Sequence, residues 1–83
     1  MRQVQIYSRH GCHLCDDALQ TLKNLQNELE FEIQEIFIDG DADLEYTYGE
    51  RVPVIHIDSQ LHDFYTVNPE RFRKAISEPH PHQ

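Results

Sequence analysis

The sequence predicts an α/β domain: a mixed four-stranded sheet in the order β-α-β-(short α)-β-β-α, with helices on both faces. Three observations predict it. A strand, a long amphipathic helix and a second strand follow one another through residues 3–38, which implies a right-handed crossover and a parallel pair. Residues 54–57 read as a strand, and after a short turn 61–65 can return antiparallel to form a hairpin. Asn68-Pro69-Glu70 then opens a last helix with a cap, a proline at its first position and an acid in its first turn.

Val4 and Ile6 alternate with Gln3, Gln5 and Tyr7, the period of a half-buried strand. After Ser8-Arg9-His10-Gly11, the residues Cys15, Ala18, Leu19, Leu22, Leu25 and Leu29 recur at three- and four-residue steps. That stripe predicts a helix from about His13 to about Glu30. Phe31 to Ile38 reads as the second strand. Asp39-Gly40-Asp41 ends it and can cap a short helix, Ala42 to Tyr48, which Gly49 stops. Val54 to Ile57 is the third strand. Asp58-Ser59-Gln60 makes a turn, and Leu61 to Tyr65 returns antiparallel. Phe72, Ala75 and Ile76 form the buried face of the last helix. The expected domain spans 1–78, followed by a disordered tail, Pro79-His80-Pro81-His82-Gln83.

Eighty-three residues suit one domain, and 39% hydrophobic content suits a folded one. No window approaches the roughly 20 apolar residues of a membrane helix. Met1-Arg2-Gln3-Val4-Gln5-Ile6 lacks the apolar core of a signal peptide, so the expected compartment is the cytoplasm. Fifteen acidic residues against seven basic ones give a net charge of −8. Such a field repels a phosphate backbone, so nucleic acid is not an expected partner.

Cys12 and Cys15, the only cysteines, enclose His13-Leu14 where the first strand becomes the long helix. Three helical residues carry the chain about once round, so the two sulfurs can meet. Cys12 falls at the helix start, where unpaired N–H groups and the helix dipole favour a thiolate. Cys15 belongs to the apolar stripe and is more sheltered. One exposed thiolate backed by a sheltered thiol is what disulfide exchange requires. A structural staple is the weaker reading, because closing a loop of about four residues contributes only about 2 kcal/mol. A soft metal, zinc or copper, is the rival: His10, Cys12, His13 and Cys15 offer four ligands. Against it, closed zinc sites draw ligand pairs from separate segments, and no second pair exists here.

Val52-Pro53 precedes the third strand, where proline fits only at the first residue. Tyr7-Ser8-Arg9, Cys12-His13-Leu14-Cys15 and Val52-Pro53 together resemble the thioredoxin superfamily, and within it a small glutaredoxin or glutaredoxin-like domain. The resemblance in element order runs over about residues 2–77. It implies a thioredoxin-like fold, a cis Val52–Pro53 bond beside the cysteines, Cys12 as nucleophile and Cys15 as resolving thiol. It also implies that Arg9, His13, Val52 and Pro53 face the substrate, a protein or small-molecule disulfide, with glutathione as a co-substrate and no prosthetic group. The sequence departs from the glutaredoxin pattern at three places. His13 stands for a proline, Arg51 for a threonine, and Asp63-Phe64-Tyr65-Thr66-Val67-Asn68 for the segment whose two glycines close the glutathione site.

Other signals have simpler explanations. Asp39, Asp41, Asp43 and Glu50 echo a calcium loop, but Leu44 stands where that loop needs glycine, and helix capping accounts for the same acids. His56 reads as a structural histidine, and Tyr46, Tyr48 and Tyr65 as packing and rim residues. The expectation is therefore a monomeric cytoplasmic thiol–disulfide oxidoreductase without a bound metal. Its alternatives are a metal-binding or metal-delivery domain and a redox-inactive adaptor on the same fold.

Overall fold

A computed structural model describes residues 2–77; the predicted tail, Pro79 to Gln83, lies outside the described residues. Seven elements follow the predicted order: β1 (Arg2–Ser8), α1 (His13–Leu25), β2 (Phe31–Phe37), α2 (Ala42–Tyr48), β3 (Val54–Ile57), β4 (Gln60–Phe64) and α3 (Pro69–Ser77). The sheet runs β2-β1-β3-β4, with β1 parallel to β2 and both other pairings antiparallel.

The strand period sorts the two faces of the sheet. Val4 and Ile6 of β1 and Ile55 and Ile57 of β3 point to one side. There they meet Ala18, Leu22 and Leu25 of α1 and Phe72 and Ile76 of α3. Tyr7, of opposite parity, faces the other side, where Leu44 and Tyr48 of α2 pack. Helices therefore cover both faces. Phe72 is fully buried, its ring edge-on to Phe31 at 5.1 Å. Asn68 caps α3 through Oδ1, which accepts the amides of Glu70 and Arg71 at 3.0 and 3.1 Å.

Several boundaries differ from the sequence reading. Helix α1 ends at Leu25, not near Glu30, because the amides of Asn27 and Glu28 turn back to Asn24 and Leu25 in a tighter winding. Leu29 still reaches the core from that turn, which is why the apolar stripe runs past the helix. The hairpin turn has two residues, not three: Asp58 and Ser59 both take positive φ, 51° and 70°, so Gln60 already pairs with Ile57. Neither residue is glycine. The turn is held from β1, where Gln3 N–H donates to Asp58 Oδ1 at 2.9 Å and the Gln5 side chain accepts from Ser59 N–H at 3.0 Å. Arg2 adds an ion pair to Asp58.

Gly49 does end α2, but in a right-handed conformation with φ −51°. Glycine is needed there because a Cβ would collide with the carbonyl of Glu45. In the same hairpin, β3 and β4 lose register between Ile55 and His56, leaving His62 as the extra residue of a bulge. The bulge brings the His62 ring edge-on to Phe72 at 5.8 Å.

Candidate active site

Gly11, at φ +76°, turns the chain from β1 into α1 in a conformation that favours glycine. Cys12 follows in extended geometry as the N-cap, and its Sγ accepts the amide of Cys15 at 3.1 Å. The two sulfurs are joined as a disulfide, with the Cα atoms 5.2 Å apart. Cys12 is partly exposed, whereas Cys15 is 2% exposed beneath the first turn of α1.

Behind the disulfide, Cys15 packs with Ile38 and Val52, and Tyr7, Leu44, Tyr48 and Cys12 close around them. The Val52–Pro53 bond is cis, and Pro53 is fully buried. Cys12, Cys15 and Val52 thus come together, with Pro53 next in the chain. Arg9 and His13 are exposed on the rim. Arg9 Nη1 donates to the carbonyl of Gly49 at 2.8 Å, which joins the end of β1 to the end of α2.

His10 is held against Phe37 and Asp39. Its ring stacks on Phe37 at 4.3 Å, and its Nδ1 and its amide both lie 3.1 Å from Asp39 Oδ1. Partial burial works to raise the Asp39 pKa, but the amides of His10 and Asp39 and the His10 ring outweigh it and hold the carboxyl below its ordinary value. Asp41 caps α2 by accepting the Leu44 amide. Among the described residues, no three His, Cys, Asp or Glu side chains converge as metal ligands.

Tyr7, Tyr48 and His56 form an aromatic group on the α2 side, with centroids 4.7 Å apart for the tyrosine pair and 5.1 Å for Tyr7 and His56. Burial, then the neighbouring Tyr48, raises the Tyr7 pKa. Where the expected two glycines are missing, Tyr65 takes φ 71° and the amide of Thr66 folds back to the Phe64 carbonyl at 2.7 Å. Tyr65 N–H donates to the Pro53 carbonyl at 2.7 Å, and Tyr65 Oη reaches the Glu50 carbonyl at 3.3 Å. The β4–α3 loop is thereby fastened to the segment carrying Val52 and Pro53. Sequence reasoning missed this role of Tyr65.

Burial lowers the pKa of His56 and of His62; for His62, Asp63 works upward and Arg71 downward. Both lie below their ordinary value of 6.5 in the folded protein, so the unfolded chain takes up protons first. Stability is therefore full above about pH 6.5 and declines as pH falls through that value toward the folded pKa values. Urea unfolding at about pH 7.5 and about pH 5.5 measures the decline. A double His56→Gln, His62→Gln variant will show a smaller loss, and an identical loss would contradict the assignment.

A cysteine pair at the start of a helix, in a four-stranded mixed sheet flanked by helices, defines a thioredoxin-fold domain of the dithiol class. A Fasciola hepatica thioredoxin crystal structure shares that fold, at 19% identity and a TM-score of 0.55, over 92% of this chain and 78% of that one. Residues 3–77 match the family model described as "Glutaredoxin-like domain (DUF836)", and the chain belongs to that family. A solution structure of protein Ne2328 from Nitrosomonas europaea is similar at 32% identity, with a TM-score of 0.81 and 92% of each chain covered. The crystal structure of target protein XcR50 from X. campestris is 35% identical, with a TM-score of 0.69, over 92% of this chain and 99% of that one. An uncharacterized protein, Rv0508, of Mycobacterium tuberculosis is 31% identical over 80 residues, 90% of this chain and 82% of its own. The family and the adjacent cysteines support a redox role.

Proposed function

We propose that this protein is a thiol–disulfide oxidoreductase in which Cys12 attacks and Cys15 resolves. The observation that carries the reading is the position of the Cys12 sulfur at the N-cap of α1, facing the Cys15 amide. A thiolate there gains a charge-assisted hydrogen bond and the favourable end of the helix dipole. In the reaction, the Cys12 thiolate attacks one sulfur of a substrate disulfide and expels the other as a thiolate. Cys15 then attacks the Cys12 sulfur, which releases the second substrate thiol and leaves the Cys12–Cys15 disulfide. Two electrons pass to the substrate. Two thiols of a reductant such as glutathione restore the dithiol and leave as their own disulfide.

Arg9, His13, Val52 and Pro53 line the substrate side in this reading, and the substrates are protein or small-molecule disulfides. The enzyme works as a monomer in the cytoplasm, without a prosthetic group or resident metal. Equilibration in glutathione redox buffers, followed by an alkylating quench and mass spectrometry, tests it. A reversible two-electron transition confined to Cys12 and Cys15 is the expected result. A potential near about −200 to −230 mV would mark glutaredoxin-like poise and about −270 mV thioredoxin-like poise. Thiols that stay reduced across every buffer would sink the reading.

A further inference from the structure

We propose that the open pocket between β4 and α3 is a second binding site, which takes a small oxyanion, phosphate or carboxylate, between Arg71 and Lys74. The inference is independent of the thiol–disulfide reading.

The pocket has a volume of about 290 Å³ and is lined by His62, Arg71, Lys74 and Ala75. That is the low end of ligand pockets and suits a small ligand. His62 and Ala75 are half-buried, whereas Arg71 and Lys74 are exposed, so the two cations stand at the mouth. The bulge brings His62 there. The register shift gives β4 an extra residue at this point, and the ring lies edge-on to Phe72 of α3 at 5.8 Å. A bulge commonly re-aims a side chain, here toward the helix that carries the cations.

The charge of the pocket runs against that of the chain. Acids outnumber bases fifteen to seven, yet among the described residues no carboxylate lines it. Other basic side chains are engaged: Arg2 with Asp58, Arg73 with Glu28, Arg9 with the Gly49 carbonyl, and Arg51 over the Phe64 ring. Lys74 has no ion pair among the described residues, not even with Glu70 one turn earlier.

Arg71 is steadied from one side, where Nη1 donates to Asp63 Oδ2 at 2.9 Å. Its other edge, Nε and Nη2, has no hydrogen-bond partner among the described residues. Arg73, two residues on, shows what that edge does beside a carboxylate: its Nε and Nη2 donate to the two oxygens of Glu28 at 2.7 and 3.1 Å. A guanidinium fixed on one edge presents the other as a ready fork for carboxylate or phosphate. Arg71 and Lys74 also stand three residues apart on one face of α3, where like charges repel. An oxyanion between them replaces that repulsion with charge-assisted hydrogen bonds.

Titration of the full chain in its disulfide form with inorganic phosphate, and separately with succinate, tests the site. Ionic strength is held constant, and amide shifts are followed by nitrogen-15 NMR. A saturable response centred on His62, Asp63 and residues 71–75 is expected. Saturation by phosphate alone assigns a phosphate ligand, and saturation by succinate alone a carboxylate. Lys74→Gln and Arg71→Gln will each weaken binding about tenfold or more, the size of one hydrogen bond to a charged group. Arg73→Gln, which removes a cation already held by Glu28, will leave it unchanged. Shifts that grow without saturating, or affinities equal to the wild type in both pocket variants, would overturn the proposal.

Discussion

Cys12→Ser will abolish disulfide exchange, with turnover dropping more than about a thousandfold, to the uncatalysed background. The size follows from the site. Cys12 is the partly exposed sulfur at the head of α1, and Cys15, 2% exposed, cannot reach a substrate in its place. A serine hydroxyl gains the same amide but remains protonated at neutral pH, so it does not attack. Cys15→Ser will behave differently. The first attack proceeds, the resolving step is missing, and a mixed disulfide accumulates on Cys12. A coupled reduction assay on an oxidised substrate, with intact-mass measurement of each variant, separates the two outcomes. Turnover retained in the Cys12 variant would contradict the mechanism. Mixed disulfide accumulating on Cys15 instead would reverse the two roles.

Phe72→Ala will cost about 3–5 kcal/mol of stability. The ring is fully buried between α3 and the sheet, edge-on to Phe31 and in contact with the His62 bulge. At about 0.05–0.15 kcal/mol per residue, a domain of 83 residues has roughly 4–12 kcal/mol in all, so this one truncation removes a large share of it. Thermal unfolding will drop by more than about 12 °C. A loss under about 1 kcal/mol would mean that neighbouring side chains collapse into the space, a result the T-shaped pairing with Phe31 argues against.

The β-α-β crossover and both later helices were legible because local chemistry specifies them. Asp41 and Asn68 cap α2 and α3 as their sequence positions suggest, and the stripe from Cys15 to Leu25 marks the buried face of α1. The arrangement of Cys12 and Cys15 was legible for the same reason: three residues of helix fix it. What escaped the sequence depends on distant partners. The turn at Asp58-Ser59 is held by Gln3 and Gln5, more than fifty residues away. The tether of Arg9 to Gly49 and that of Tyr65 to Pro53 likewise join segments no local window sees together. The bulge at His62 depends on how β4 meets α3, and no turn residue announces it.

The strand order β2-β1-β3-β4 leaves β2 and β4 as open borders, each with a row of backbone groups that another chain could pair with. β4 is short and bulged, a poor template. β2 is seven residues of Phe-Glu-Ile-Gln-Glu-Ile-Phe, four of them large and apolar with high strand propensity, the composition of a segment prone to cross-β pairing. Glu32 and Glu35 are exposed along it and interrupt that segment as gatekeepers. Charge repulsion along β2 therefore opposes extension of the sheet by another molecule, an effect that weakens as those two glutamates are protonated or screened by salt.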